Sequence, residues 1–583
     1  MKVSINWLNK LVNLNVSIEE LVRLLPLRTI GLKEVTKNYI ELDMKGYNRA
    51  DLLSIRGVAY EAATITGSNI LFNEPQEAEF VWNQESLPEV KVDVLNLKLC
   101  PFYCIAKIEG IKVDKSSEDW VKKIEASGMR SVNNIADVTN LVMLEYGQPL
   151  HAFDAGKVSG RVSVRLASQG ETLQTLDGKV RQPDTSDMVI TDKSGPIAIA
   201  GIMGGKETEV SNYTSSILLE AAIFDPVNLR QTATKLNLQS EAGKRFQHGL
   251  TKTRLLQALN AAIKMYQEPG GKLTAISIVG NSQDQQKVVN LSLSNLNALV
   301  GIDFTDKQVE EYLSRLYCKP ASYSSNGNVV WEVTIPYWRL DINIEEDLIE
   351  EVARLYGYEK IPAKSLAGEY KPKGDQKQFV LIRKLKDALV SLGLTEVQTY
   401  SFYSTRVLNA LGLTKEKADK RLVKLANPMS SETEYLRESL WPNLLEVIDR
   451  NVRLDFKDIA IFEIGKIYYL NEKDETSEKY VLTVALTNNT DNPLVELEQI
   501  FKTANQKLDL KISEDLEKEK GANLELFHPT RLIQLKTGRG KTLGRLAEIH
   551  KRVTDKFSLD KRVAVLEVSI VIASDFRNFS CFL

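Results

Sequence analysis

Two groups of side chains in this sequence have the types and spacing for chemistry. The first lies in Trp338-RLDINIEEDLIEEVARLYGYEKIP, where Asp347, Glu350 and Glu351 stand at i, i+3 and i+4 and therefore share one side of a helix. Asp341, just before the helix, can fold back toward that side, and Asn343 with Glu346 has capping-box spacing. Ile344, Leu348, Val352 and Leu355 form the stripe expected to be buried. Carboxylates this close repel unless a cation joins them. With no His or Cys nearby, a hard cation such as Mg²⁺ is the natural partner. The same residues also describe an acid-rich first turn favoured by the helix macrodipole and left in water.

The second group is spread over four strings: Asp137-VTNLVMLEYGQPLHAFD, Ala198-IAGIMGG, Leu218-LEAAIFDP and Ser240-EAGKRFQHG. The glycines from Gly201 to Gly205 allow backbone to approach a ligand, and Thr139, Asn140, His151 and Glu220 have side chains suited to lining a pocket. Glu220 sits among Leu218, Leu219, Ala221, Ala222 and Ile223, so burial is expected and a partner is needed. That partner is either a basic residue of the core or a ligand, and His151 is open to the same two readings. Two phosphate-loop look-alikes fail. Gly538-RGKT has Leu535 where the leading glycine belongs, and Gly201-IMGGK continues into Glu207.

At roughly 150 residues per domain, 583 residues imply about four domains. Lys+Arg 75 against Asp+Glu 77 leaves a net charge of −2, so any RNA contact must rest on a local patch or a partner chain. Four cysteines, Cys100, Cys104, Cys318 and Cys581, build no disulfide framework and suit a reducing, cytoplasmic compartment. Asn6, Asn9, Lys10 and Asn13 interrupt the first residues, so no signal peptide is expected, and no apolar run is long enough to span a membrane. Four scattered histidines make an imidazole-based metal site a poor expectation.

The elements that must position these groups fall into four stretches. Residues 1–85 form an entry domain, with Ser17 and Glu20 capping one helix and another running from Leu53 to Gly67. Residues 86–285 alternate strand-like runs (Val162-SVRLA, Met188-VITD, Pro196-IAIAG, Ile217-LLEAAIF) with helices such as Leu229-RQTATKLNL. Residues 286–365 read strand, helix, helix, strand, helix, with Thr305 and Gln308 capping a helix buried through Val309, Tyr312, Leu313 and Leu316. After the charged linker Tyr370-KPKGDQK, residues 375–583 alternate helices with strands, which suits an antiparallel sheet with flanking helices. Lys507 to Lys520 reads as a solvated mixed-charge helix.

These strings resemble the beta-subunit family of bacterial phenylalanyl-tRNA synthetases. The match runs from Met1-KVSINWL through Asp51-LLSIRGVAYEAATITG, Val138-TNLVMLEYGQPLHAFD, Ile199-AGIMGG, Leu219-EAAIFDP, Ile335-PYWRLDINIEEDLIEEV, Asn427-PMSSETEYLRESLWPNLL and Ile461-FEIGK to Phe527-HPTR, nearly the whole chain. The resemblance implies a multidomain α+β and α/β architecture: an entry domain, a mixed editing domain, a small helical, winged-helix-like domain carrying the carboxylates, and a degenerate class II synthetase sheet domain. It implies an alpha subunit that binds ATP and phenylalanine, an alpha2beta2 heterotetramer, tRNA(Phe), and Mg²⁺ held by Asp341, Asp347, Glu350 and Glu351.

Carried over by motif, the family's editing pocket for mischarged tyrosine falls on Thr139, Asn140, His151, Gly201, Glu220, Ser240 and Ala242. Thr139, Asn140 and His151 would position the ester and its water. Gly201, Glu220, Ser240 and Ala242 would hold the side chain, with Glu220 on the phenolic hydroxyl. A pocket built for phenylalanine resists an added hydroxyl only weakly, so a second sieve is useful.

Two departures stand out. Between Gly31 and Ile40 the chain is short where most relatives insert an oligonucleotide-binding fold, and after Val563-AVLEVSI it does not follow the ferredoxin-like anticodon-binding continuation. The last domain also has no glycine-arginine string of the kind that closes a class II ATP site. Two other readings remain at this stage: a structural subunit whose pocket has decayed, and a free-standing Mg²⁺-dependent hydrolase centred on Asp347, Glu350 and Glu351.

Overall fold

The computed structural model describes residues 1–570 apart from 84–85, 281–283, 285, 326, 366–367, 369–376, 489–491, 511, 516–523 and 538–539. The Tyr370-KPKGDQK linker, apart from Lys377, lies outside the described residues, as do the start of Gly538-RGKT and the residues around Cys581. The chain divides into two units, Met1–Ser365 and Leu366–Leu583.

In the first unit the helix Ile18–Arg28 begins where the Ser17 hydroxyl accepts the Glu20 N–H at 3.3 Å. Residues 31–42 form a hairpin, Leu32–Val35 against Tyr39–Leu42. Trp7, Leu8, Leu21, Ile55 and Ala59 join Leu291, Val309, Trp331, Leu348 and Val352 in one buried core. The entry helices and residues 286–365 are therefore held together by shared apolar burial. The latter stretch is less helical than its sequence suggests. Its sheet runs Val288–Ser292, Asn328–Thr334, Lys319–Ser325, all antiparallel, beside three helices. The strand Lys319–Ser325 is exposed along nearly its whole length, so it carries no apolar alternation to announce it.

Between these parts lie two stacked sheets. A four-stranded antiparallel sheet has the order Lys272–Gly280, Phe102–Glu109, Ser216–Ile223, Leu150–Asp154. A five-stranded sheet runs Met203–Gly204, Pro196–Ile199, Met188–Thr191, Val162–Leu166, Val92–Val94. Ser216–Ile223 is central, and its alternate side chains face opposite ways. Leu219 and Ala221 pack on the helix Lys252–Gln267 through Leu255 and Leu259. Leu218 and Ala222 join Tyr103, Phe153, Val164, Ile190 and Ile199 between the sheets. Glu220 has the parity of Leu218 and Ala222, so the strand aims a carboxyl at an apolar layer.

The second unit is built on a seven-stranded sheet ordered Thr395–Glu396, Ile459–Leu470, Thr476–Thr487, Ala564–Ser569, Thr542–Ile549, Phe527–Thr537, Ile512–Asp515. Only the first pairing is parallel. The solvated helix expected over Lys507 to Lys520 is absent from the described part. The helix Pro493–Lys507 ends there, and Ile512–Asp515 pairs with Phe527–Thr537 as an edge strand.

Candidate functional site

All seven pocket residues named from sequence line one cavity of about 560 Å³ in the first unit. One wall is the helix Asn134–Tyr146, which starts where the Asn133 side chain accepts the N–H groups of Ile135 and Ala136. Ala136, Thr139, Asn140 and Met143 lie at i, i+3, i+4 and i+7 and give the cavity a single helical face. The opposite wall comes from the sheets, where Glu220 pairs in register with His151 on one side and Ile105 on the other.

The turn from Pro196–Ile199 into Met203–Gly204, inside the five-stranded sheet, is shaped by two glycines. Gly201 has φ +67°, and a Cβ there would stand 2.5 Å from Leu229 Cδ1 and 2.8 Å from Phe224. At Gly204 a Cβ would meet the His151 ring at 2.5 Å. The imidazole thus rests on bare backbone and also meets Phe153 edge-on, with centroids 4.5 Å apart. Gly204 lay inside the glycine string, but only the fold shows that it makes room for a histidine some fifty residues earlier.

The electrostatics of the cavity are unusual. Glu220 is 6% exposed and has no ion pair or hydrogen bond with any described residue. Burial pushes its carboxyl up to about 8. Burial also lowers His151 to about 4, so at neutral pH the imidazole is uncharged. Asp177, Glu209 and Glu241, which the sequence reading did not select, also line the cavity, and each is neutralised from outside it. Arg181 binds Asp177 at 2.9 Å, Arg245 binds Glu241 at 3.0 Å, and Lys206 pairs with Glu209. Among the described residues no Lys or Arg lines the cavity.

Ser240 is less available than its position suggests. Its hydroxyl accepts the Gly243 N–H at 2.9 Å and donates to the Ile202 carbonyl at 3.0 Å, so it caps a helix and ties down the turn. Thr139 donates to Ala136 O at 2.7 Å and keeps acceptor capacity. The cavity therefore presents a neutral imidazole, two small polar side chains and one uncompensated carboxyl against apolar walls. Such a lining suits an organic ligand bearing a hydroxyl, with no activated nucleophile beside it.

The carboxylate group of residues 341–351 is arranged differently from the expectation. Asp341 is bound by Arg339 through Nε at 2.9 Å and Nη2 at 2.7 Å. Glu351 receives Arg339 Nη1 at 2.6 Å and Arg354 Nη2 at 2.6 Å. Burial opposes its charge, yet the two guanidiniums hold Glu351 well below the usual carboxylate range. Arg354 continues to Glu61, and Arg49 joins Glu61 to Asp51.

The cap is also displaced by one residue. Asp347, not Glu346, accepts the N–H groups of Asn343 at 2.7 Å and Ile344 at 3.0 Å. Ile344 lies outside the buried stripe, 55% exposed, and Glu350 faces solvent. Among the described residues no group of three or more acidic, His or Cys side chains is placed to hold a metal ion. Asp341, Asp347, Glu350 and Glu351 therefore do not by themselves fit a resident Mg²⁺.

Family models match three consecutive stretches: a B3/4 domain over residues 99–271, a tRNA synthetase B5 domain over 289–358, and a phenylalanyl tRNA synthetase beta chain CLM domain over 361–570. The phenylalanine–tRNA ligase beta subunit of Moorella thermoacetica is 34% identical over 564 residues, covering 94% of this chain and 68% of the relative. The chain belongs to the phenylalanine–tRNA ligase beta subunit family. The corresponding subunit of Syntrophotalea carbinolica is 32% identical over 92% of this chain and 68% of its own length. That of Desulfotalea psychrophila is 36% identical over 82% and 58%. Every cavity-lining residue falls within the B3/4 match, and the arginine-bound carboxylates fall within the B5 match. No helix among the described residues is long and apolar enough to cross a membrane.

Proposed function

We propose that this chain is the beta subunit of an alpha2beta2 phenylalanine–tRNA ligase of the cytoplasm, and that its cavity hydrolyses tyrosine mischarged on tRNA(Phe). In this reading the alpha subunit binds ATP and phenylalanine and performs the charging. The observation that carries the editing role is Glu220, a buried carboxyl with no protein partner on the wall of a cavity otherwise apolar or neutral. A buried polar group without a partner is costly unless a ligand completes it. A tyrosine ring entering from the mouth brings the missing hydroxyl, whereas phenylalanine leaves the carboxyl unsatisfied.

At pH 7 Glu220 is protonated, so its carbonyl oxygen accepts the phenolic O–H as a neutral hydrogen bond. Such a bond is worth about 0.5–1.5 kcal/mol, or roughly a 2- to 12-fold preference for tyrosine. Above pH 8 the carboxylate makes the bond charge-assisted, about 1.5–3 kcal/mol, and the preference widens. Uncharged His151 is held by Gly204 and Phe153 at the ester end, where with Asn140 and Thr139 it orients the ester and one water. Positioning carries the rate, because the fall of His151 to about 4 makes it a weak base.

The inner polar groups of the second unit support leaving amino-acid activation to another chain. Arg437, 3% exposed, is taken up by Glu463 at 2.9 Å and Thr399 at 2.8 Å. Glu567 accepts from Ser439 at 2.5 Å and Thr483 at 3.0 Å. These groups satisfy one another and hold no free guanidinium for a triphosphate. The test is hydrolysis of Tyr-tRNA(Phe) by the enzyme assembled with the alpha subunit. Absence of hydrolysis by properly assembled enzyme overturns the editing role and leaves the structural one.

A further inference from the structure

The second unit carries a surface that the role above does not use. The helix Trp441–Val452 carries Arg450 in its last turn, and the chain after it runs Arg453, Leu454, Asp455, Phe456, Lys457. Leu454 is 68% exposed and Phe456 57% exposed. Beside them lies the segment Lys551–Arg562. Arg406 Nε donates to the Lys556 carbonyl at 3.3 Å, and Lys561 Nζ donates to the Lys457 carbonyl at 2.8 Å. A buried carboxylate, Asp449, gathers Arg406 and Arg453 at the same end of the helix.

Over residues 450–458 and 551–562 eight basic residues face four acidic ones, Asp455, Asp458, Asp555 and Asp560, in a chain whose net charge is −2. Lys551 neutralises Asp555 at 2.7 Å. Arg450, Lys457, Arg552 and Lys556 are exposed, and their side chains have no hydrogen-bond or ion-pair partner among the described residues. A solvated face normally interleaves charges that neutralise one another and keeps aromatic rings inside. This one leaves four cations unpaired on two adjoining segments, one of which also exposes a phenyl ring and a leucine. Unpaired cations suit phosphates, and an exposed ring suits a ribose or base.

We infer that this face, formed by Arg450, Lys457, Arg552 and Lys556 with Phe456, is a docking surface for the backbone of tRNA. The inference rests on the tRNA-handling role proposed above. It places RNA contact on a local patch of a near-neutral chain.

The test uses the full chain and a fluorescently labelled tRNA(Phe) transcript, with binding followed by anisotropy between about 50 and 200 mM salt. Replacing all four cations by Gln is expected to weaken binding at least tenfold at low salt and to reduce the log–log salt slope by about 3.6, since each lost phosphate contact removes roughly 0.9. Phe456→Ala is expected to weaken binding several-fold with the slope unchanged. Arg450→Lys with Arg552→Lys retains the charge and is expected to bind as wild type, which separates charge from folding damage.

A wild-type chain that binds no RNA overturns the inference, as does a fourfold Gln variant with wild-type affinity and slope. Loss of alpha-subunit association by that variant with RNA binding intact also overturns it, and assigns the face to protein. Hydrolysis of a tyrosyl ester of adenosine, read on the assembled enzyme, tests the editing role separately. Failure of wild-type enzyme there with the RNA results as expected removes the editing reading alone.

Discussion

Replacing Glu220 by Gln removes a titratable proton from the cavity while keeping its shape, and the consequence for stability follows from the burial of that carboxyl. In the unfolded chain the group ionises near the ordinary value of 4.5, and in the folded chain near 8. Below pH 4.5 both states are protonated and the carboxyl carries no penalty. As pH rises beyond that, the unfolded state loses its proton first, so folding stability falls by about 1.4 kcal/mol per pH unit until the folded carboxyl also ionises near pH 8. At pH 7 the accumulated loss is about 3 kcal/mol, and above pH 8.5 about 5 kcal/mol. The Gln variant has no such slope. Urea unfolding of both proteins at pH 5, 6, 7 and 8, with hydrogen exchange at the Ser216–Ile223 amides as a probe of the first unit, is expected to show the variant gaining on wild type at each step. A stability difference that stays constant from pH 5 to pH 8 refutes the reasoning, because it means Glu220 is ionised or partnered in the resting cavity.

Gly204→Ala places a methyl group 2.5 Å from the His151 ring and is expected to slow hydrolysis of both Tyr- and Phe-tRNA at least tenfold while the chain stays folded, as measured by deacylation and circular dichroism. Arg354→Met leaves Glu351 and Glu61 each short of a guanidinium inside the first unit, and urea unfolding is expected to show a loss of about 3–5 kcal/mol. The unfolding midpoint of the chain alone is expected to be the same in EDTA and in millimolar Mg²⁺, since arginines occupy Asp341 and Glu351; a Mg²⁺-dependent rise contradicts that. Purified chain without the alpha subunit is expected to show no phenylalanine-dependent ATP–pyrophosphate exchange, and robust exchange overturns the assignment of activation to the partner.

The cavity was legible in the sequence because its residues come in contiguous strings, Val138-TNLVMLEYGQPLHAFD and Leu219-EAAIFDP among them, whose resemblance carries position by position. The burial of Glu220 could be read from its apolar neighbours alone. The commitment of the Ser240 hydroxyl to Gly243 and Ile202, and the contact of Gly204 with His151, join residues far apart and appear only in the folded sheets. The carboxylate helix shows the opposite failure. The spacing of Asp347, Glu350 and Glu351 suggests one acidic face, but Glu350 faces solvent, Asp347 caps the helix, and the cations that answer Glu351 are Arg339 and Arg354, linked onward to Glu61 and Arg49 nearly three hundred residues away. Local spacing shows that a charge must be met and not what meets it. The exposed strand Lys319–Ser325 escaped detection because its pairing comes from backbone hydrogen bonds to Asn328–Thr334, with no side-chain pattern to mark it.

The central claim is that Glu220 makes the cavity select tyrosine. Its most direct test is a deacylation time course with Tyr-tRNA(Phe) and Phe-tRNA(Phe) on the enzyme assembled with the alpha subunit, for wild type and Glu220→Ala, at pH 7 and pH 8.5. The account predicts that wild type clears tyrosine roughly 2- to 12-fold faster at pH 7, that the ratio widens at pH 8.5, and that Glu220→Ala brings it to about one at both. A Glu220→Ala enzyme that keeps the wild-type ratio contradicts it.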